Sequence, residues 1–403
     1  MLRARRFIRI CLATALVLVL GGWVGVAWAK PAIVGLRIGV RAETTRVVLD
    51  LTDDLKYRVF TLPSPYRVVI DLPEVAWKVP AARLPAGRGI VQRFRYGLFQ
   101  PGTWRLVLDL TSPVRLSKVF MLRPTANFGY RLVLDLGTVT AEAFRREGNP
   151  TPLASAPSAA PPPPAKPKRN GPAVVAIDPG HGGVDPGTRS RSGVYEKRIT
   201  LAAARELARQ LAATGRYRVV LTRDRDVFVP LPTRVAIARK AGASLFISLH
   251  ADSIANRKLR GASVYTLSEN ASDAESAALA AKENKADVIA GIDLSSQVYD
   301  PEVANILIDL AQRQTNNDSG KFAEVLVPEL GRVGRLLRKT HRYAGFRVLK
   351  APDVPSVLIE MGYLSNARDE RLLLSPAMRA KLMSAVRRAV DRYFAAKLSA
   401  SRL

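Results

Sequence analysis

The sequence predicts two folded domains, an N-terminal all-β sandwich and a C-terminal α/β domain with a mainly parallel central sheet. Three observations carry this expectation. One hexapeptide pattern recurs four times in the first third, as "RVVLDL" at 46–51, "RVVIDL" at 67–72, and "RLVLDL" at 105–110 and 131–136. An Ala/Pro-rich stretch over 143–172 then breaks the hydrophobic patterning, and beyond it short apolar runs alternate with helical periods. A chain of 403 residues also exceeds what a single core normally organises.

The N-terminus carries Arg3, Arg5, Arg6 and Arg9, then an apolar stretch, then Ala27-Trp28-Ala29. Basic flank, short apolar core and small residues describe a signal peptide over 1–29, cut before Lys30; a retained membrane anchor is the rival reading. Arg5-Arg6-Phe7 is a partial twin-arginine signal, so export through Sec or Tat is open. Cleavage would remove the lone Cys11, leaving an exported protein with neither disulfides nor a thiol nucleophile.

Residues 30–142 form the first domain. Each hexapeptide reads as a strand, because β-branched and Leu residues sit between Pro, Gly and Ser turns without a helical period. The copies have unequal spacing, so a two-sheet sandwich with internal pseudo-symmetry fits better than a solenoid. The Arg and Asp that bracket each copy are expected to pair across neighbouring strands rather than to form a ligand-binding ladder. Consecutive prolines in the 143–172 linker favour extended polyproline II, so it is expected to hold the domains apart as a semi-rigid spacer.

From 173 to 403, "AVVAIDPG" reads as a buried strand, and "YRVVLTR", "SLFISLH", "ASVYTLS" and "SVLIEMG" as further strands. Apolar residues at 201, 204, 208 and 211 mark a helix that stops at Gly215, and Ser375-Pro376 opens another with Met378, Leu382, Val386, Val390 and Phe394 along one side. Residues 268–322 interrupt the alternation before a helix expected near 323–340, and they read as a helical insertion.

With 62 Lys and Arg against 34 Asp and Glu, the formal charge of +28 attracts a polyanion, nucleic acid or an acidic cell wall, or simply solvates the surface. The absence of RNP, zinc-finger and basic-zipper patterns counts against nucleic acid.

Two of only three histidines fall at strand ends, where ligands bind in open parallel sheets. His181 follows "AVVAIDPG" among glycines, His250 ends "SLFISLH", and Glu360 ends "SVLIE". Glu196, just ahead of a helix, can face the same rim. Two histidines and a carboxylate suffice for a catalytic zinc with a position left open for water. Amide hydrolysis without a cysteine then needs a further carboxylate to pass the proton to the leaving amine, and Glu360 is the candidate. His341, in "LLRKTHRYAG", reads as a surface residue of a basic helical stretch, and Asp178 as a structural group that orders the Gly-rich loop through nearby backbone amides.

Together "AIDPGHGGVDPG", "YEKRITLAAARELARQL", "VVLTRDRDVFVPLPTRVAIA", "FISLHADS" and "VPSVLIEMGYLSN" resemble the zinc-dependent N-acetylmuramoyl-L-alanine amidases of cell-wall turnover. The resemblance implies Zn2+ on His181, Glu196 and His250, Glu360 as the catalytic carboxylate, and peptidoglycan as substrate. The hexapeptides, domain order and Pro-rich linker make the first domain similar to an AMIN domain, which targets such enzymes to the wall, often at the division septum. The insertion is similar to that of the cell-separation amidases, in which a helix covers the metal until a LytM-domain activator displaces it. In this chain "AAKENKAD" is the matching segment, and Glu283 is the implied blocking contact, with Asp252 and Asp287 as secondary candidates. The implied compartment is the periplasm, with no nucleic-acid partner and no stable membrane insertion after signal cleavage. Two alternatives stand beside this reading. One is a non-catalytic wall-binding scaffold; the other is a zinc peptidase or deacetylase acting elsewhere on the polymer, since the same donors serve many hydrolyses.

Overall fold

The computed structural model describes residues 30–41, 44–63, 65–146, 171–292 and 305–400. The expected signal peptide and most of the expected linker lie outside these residues.

The first domain is built from β1 (Ala32–Arg41), β2 (Thr44–Leu51), β3 (Arg58–Leu62), β4 (Arg67–Pro73), β5 (Ala76–Trp77), β6 (Val91–Gln100), β7 (Thr103–Leu110), β8 (Val114–Leu122) and β9 (Tyr130–Thr138). They form two sheets, ordered β5-β1-β2-β9-β8 and β3-β4-β7-β6. The four hexapeptides lie on β2, β4, β7 and β9, two paired at the heart of each sheet. Strand alternation sends Val47, Leu49, Val68, Ile70, Leu106, Leu108, Leu132 and Leu134 into one shared core. The bracketing charges meet across strands as expected: Arg46 forks onto Asp135 at 2.6 and 2.7 Å, and Arg105 onto Asp71 at 2.6 and 2.8 Å. The chain leaves the sandwich through a short helix, α1 (Ala141–Arg146), so helix rather than linker occupies the first residues of the 143–172 stretch.

The second domain contains β10 (Ala173–Pro179), α2 (Glu196–Ala212), β11 (Tyr217–Leu221), α3 (Leu231–Lys240), β12 (Leu245–His250), β13 (Ala262–Leu267), α4 (Ala274–Glu283), α5 (Ala286–Ile289), α6 (Asn305–Gly331), β14 (Leu336–Ala344), β15 (Ser356–Glu360), α7 (Ala367–Leu374) and α8 (Pro376–Ala400). Its sheet runs β11-β10-β12-β15-β13-β14, parallel at every pairing except β13 against β15. Val175, Ile177, Leu245, Ile247, Leu249, Val357 and Ile359 face α2, α6 and α8. Residues of opposite parity, Val174, Ala176, Phe246 and Leu358, face α3, α4 and α5.

Three expectations need correction. The helix placed near 323–340 begins earlier, at Asn305, and ends at Gly331; the basic segment after it is the edge strand β14. Lys and Arg on an edge strand deter pairing with other chains, which explains why the segment looks surface-like without being helical. His341 therefore lies on a strand and is half-buried, with Nε2 3.0 Å from Thr266 Oγ1, and burial pushes its pKa down. Nor are the domains held apart. Phe60, Leu62, Val69 and Val107 of the sandwich share a core with the second domain, Phe99 stacks on Phe228, and the Phe228 amide donates to Leu98 O at 2.9 Å. Apolar burial of this kind draws the two domains together.

Candidate metal centre and catalytic carboxylate

β10, β12 and β15 are neighbours, and their carboxyl ends deliver His181, His250 and Glu360 to one rim. His250 and Glu360 are register partners across the β12–β15 pair. His181 sits two residues past β10 with φ +61°, a left-handed backbone that a non-glycine residue rarely adopts. Two arginines fix that turn. Arg234, 1 % exposed, donates to Pro179 O and His181 O at 2.9 Å each, and Arg223 donates to Pro179 O and Gly180 O at 3.0 and 2.9 Å. Asp178 plays its expected structural part, but through side chains: it accepts from Thr222, Ser248 and Arg234.

Gly180 is dictated by close approach. A Cβ there would lie 2.4 Å from the His250 imidazole, so Gly180→Ala is expected to displace that ring and weaken metal binding, as measured by competition with a chromogenic chelator.

Glu196 is the first residue of α2 and is fully buried. Its Oε1 accepts from Ala251 N at 2.8 Å and its Oε2 from Thr188 N at 2.9 Å, which leaves the carboxylate aimed at both histidines. Glu196 Oε2 lies 3.2 Å from His181 Nε2, and Glu196 Oε1 lies 3.4 Å from His250 Nδ1. Glu283, at the end of α4, brings Oε2 to 3.4 Å from His181 Nε2 and 3.3 Å from His250 Nδ1. Burial disfavours a charged His181, but Glu196, Asp185 and Glu283 overcome it and hold its pKa well above the ordinary value. Burial raises the Glu283 pKa against the pull of the histidines.

The residues fit a tetrahedral metal ion. Donors held ~2.0–2.1 Å from zinc at tetrahedral angles lie about 3.3 Å from one another, which matches Glu283 Oε2 against both histidine nitrogens; His181, His250 and Glu283 each bring one donor atom within 4.8 Å of the others, while Glu196 flanks the two histidines through different oxygens. His181 Nε2 and His250 Nδ1 are buried without a hydrogen-bond partner, as nitrogens reserved for a metal would be. His181 Nδ1 lies 2.8 Å from the buried Asp185 Oδ2, an arrangement that fixes the ring and directs Nε2 inward. Asp185, in "GHGGVDPG", has no role in the sequence reading; its spacing of four residues from His181 was the available signal. Asp185→Asn is expected to lower metal affinity on the order of 10–100-fold in the same chelator competition.

Glu360 is fully buried and has one bonded oxygen, Oε2, which accepts from Asp252 N at 2.9 Å; Oε1 is unpartnered. Burial, with Asp252, Glu196 and Glu283 nearby, raises its pKa well above the usual carboxylate value, suiting it to exchange a proton. The secondary acidic candidates act on the insertion instead. Asp252 Oδ1 accepts from Thr188 Oγ1 at 2.7 Å and from Lys282 Nζ, while Asp287 Oδ1 accepts from Leu231 N at 2.9 Å at the start of α3. Lys282 and Arg234 escaped the sequence reading because nothing in their local pattern distinguishes them from solvating charges.

Comparison with known proteins follows the same division. Residues 37–136 match the AMIN domain, and residues 175–392 match the N-acetylmuramoyl-L-alanine amidase family. The chain is 35 % identical over 381 residues to N-acetylmuramoyl-L-alanine amidase AmiC of Escherichia coli O6:H1, covering 91 % of this chain and 90 % of that protein. It is also 35 % identical over 379 residues to AmiC of Neisseria meningitidis serogroup B, covering 90 % of each. N-acetylmuramoyl-L-alanine amidase AmiA of Escherichia coli K12 is 40 % identical over 228 residues, 56 % of this chain and 78 % of that protein. The chain belongs to the N-acetylmuramoyl-L-alanine amidases, with an AMIN domain preceding the amidase domain.

Proposed function

We propose that this chain is a zinc-dependent hydrolase of the amide between the lactyl group of N-acetylmuramic acid and the L-alanine of the stem peptide. The observation that carries the zinc is the pair of buried, unpartnered nitrogens His181 Nε2 and His250 Nδ1 facing the Glu196 carboxylate at the carboxyl edge of the sheet. When bound, zinc polarises the amide carbonyl and acidifies a water molecule. Glu360 then serves as the proton carrier. It takes a proton from the attacking water and delivers it to the amide nitrogen as the C–N bond breaks, releasing a carboxylic acid and a stem peptide with a free L-alanine amine.

Glu283 reads as the blocking contact. A carboxylate within 3.4 Å of both histidine nitrogens fills the position the water needs, so the described conformation is the resting one. Lys282 paired to Asp252 and Asp287 capping α3 fasten the segment there. Release by a LytM-domain activator, export to the periplasm and action at the septum belong to this reading; among the described residues no helix is long and apolar enough to cross a membrane. The scaffold alternative loses ground to the oriented donors and the unpartnered Glu360 oxygen, which a pure binding protein has no physical need to keep.

The test is metal removal and return. Dialysis against a strong chelator is expected to abolish stem-peptide release by activated enzyme, and one equivalent of Zn2+ to restore it. Full activity in a protein that elemental analysis shows to be metal-free would refute the zinc assignment.

A further inference from the structure

The AMIN sandwich touches the blocking segment itself. Sheet β3-β4-β7-β6 turns the outward residues of β4 and β7 toward the amidase domain, so Val69 and Val107 share a core with Ala286 and Ala290, and Ile292 packs against it. Arginines on the same sheet face the backbone at the end of α5. Arg67 Nη1 donates to Val288 O, Arg95 Nη2 to Ile289 O at 2.9 Å, and Arg105 Nη1 to Ala290 O and Gly291 O at 3.0 and 3.2 Å. Four successive carbonyls at the helix end thus receive charged donors from another domain, Val288 O in addition to the Gly291 amide. The guanidiniums are themselves held within the sandwich: Arg105 forks onto Asp71, Arg95 bonds Asp109, and Arg67 donates to Pro65 O at 3.0 Å.

Only Asn284 and Lys285 separate α5 from Glu283. Asn284 is tied to the amidase domain by Nδ2 to Gly345 O at 2.8 Å and by its Oδ1, which accepts from Arg347 N at 2.7 Å. Lifting Glu283 from the histidines therefore drags on a segment whose far end is gripped by the sandwich. We propose that the AMIN domain has a second function as an intramolecular restraint, in which Arg67, Arg95 and Arg105 hold residues 288–291 and thereby keep Glu283 over the metal site. Whatever pulls the sandwich away also loosens the block, so docking of the first domain and opening of the second are one coupled equilibrium. This inference rests on the reading of Glu283 as the blocking contact.

The experiment uses the full chain carrying zinc, without activator, and two variants that weaken the contact from different sides. R67Q removes one donor to the segment. F99A removes the ring that stacks on Phe228 and lies 3.5 Å beneath the Arg105 guanidinium, while keeping both partners of every sandwich ion pair. Hydrogen–deuterium exchange of peptides covering 274–292 reads the segment directly, and stem-peptide release from purified peptidoglycan reads the consequence, with E283A as the open control. Loss of a charged hydrogen bond of this kind is expected to raise both exchange and release on the order of tenfold. Unchanged exchange over 274–292 in both variants overturns the restraint, as does faster exchange with no gain in release while E283A is active. Faster exchange in both variants with no release from any protein, E283A included, supports the restraint and instead refutes the blocking and catalytic assignments. F99A leaves the sandwich core intact, so a failure of R67Q to fold leaves the outcome decided by F99A.

Discussion

Glu360→Gln is expected to reduce stem-peptide release on the order of 10²–10⁴-fold while leaving zinc content unchanged. Glutamine keeps the size of the side chain and an oxygen for the Asp252 amide, which donates to Glu360 Oε2 at 2.9 Å, so the rim should hold its shape. What disappears is a group able to accept a proton from water and return it to the leaving nitrogen. The other donors of the site cannot substitute, because Glu196 is occupied by the Ala251 and Thr188 amides and Asp252 by Lys282 and Thr188. The check is a pair of measurements on one preparation, zinc by elemental analysis and peptide release by mass spectrometry. Normal turnover would remove Glu360 from the mechanism, whereas lost zinc would make it a structural support of the metal.

Glu283→Ala is expected to act in the opposite direction, raising activator-free hydrolysis at least tenfold. The carboxylate is 6 % exposed and stands 3.3–3.4 Å from both histidine nitrogens, so its removal vacates the position nearest the metal donors. A buried carboxylate is also costly to hold once the metal or the histidines no longer reward it, and removing it eliminates that cost without deleting a core side chain. Lys282→Ala should raise the rate less, because it breaks one fastening and leaves the plug in place. An activator-independent rate identical to that of the unaltered chain would refute the blocking role.

How far these assignments were legible in the sequence varies with the range of the interaction. The strand alternation of "RVVLDL" and its copies specifies both core face and cross-strand charges, because a strand's pattern encodes its own burial. The ends of "AVVAIDPG", "SLFISLH" and "SVLIE" were similarly informative, since parallel strands gather their carboxyl ends on one rim. β14 was misread because its burial comes only from being an edge, where polar and basic residues suit a strand as well as a helix. Arg234 and Arg223 were invisible for another reason: their partners are backbone oxygens and side chains brought near by the fold, and nothing local distinguishes a buried arginine from a solvated one. Docking of the two domains was hidden likewise, since Val69 and Val107 look like ordinary strand residues until the opposing surface is known.

The central claim is that His181, Glu196 and His250 hold a zinc ion at which Glu360 directs cleavage of the muramoyl–alanine amide. One measurement addresses it most directly: mass spectrometry of purified peptidoglycan digested by zinc-loaded Glu283→Ala protein, beside the same protein also carrying His181→Ala. The account predicts free stem peptides beginning at L-alanine, together with glycan strands stripped of peptide, from the first protein, and neither from the second, which should also have lost most of its zinc. Products cut within the stem peptide or deacetylated on the glycan would contradict it, as would unchanged release after loss of His181.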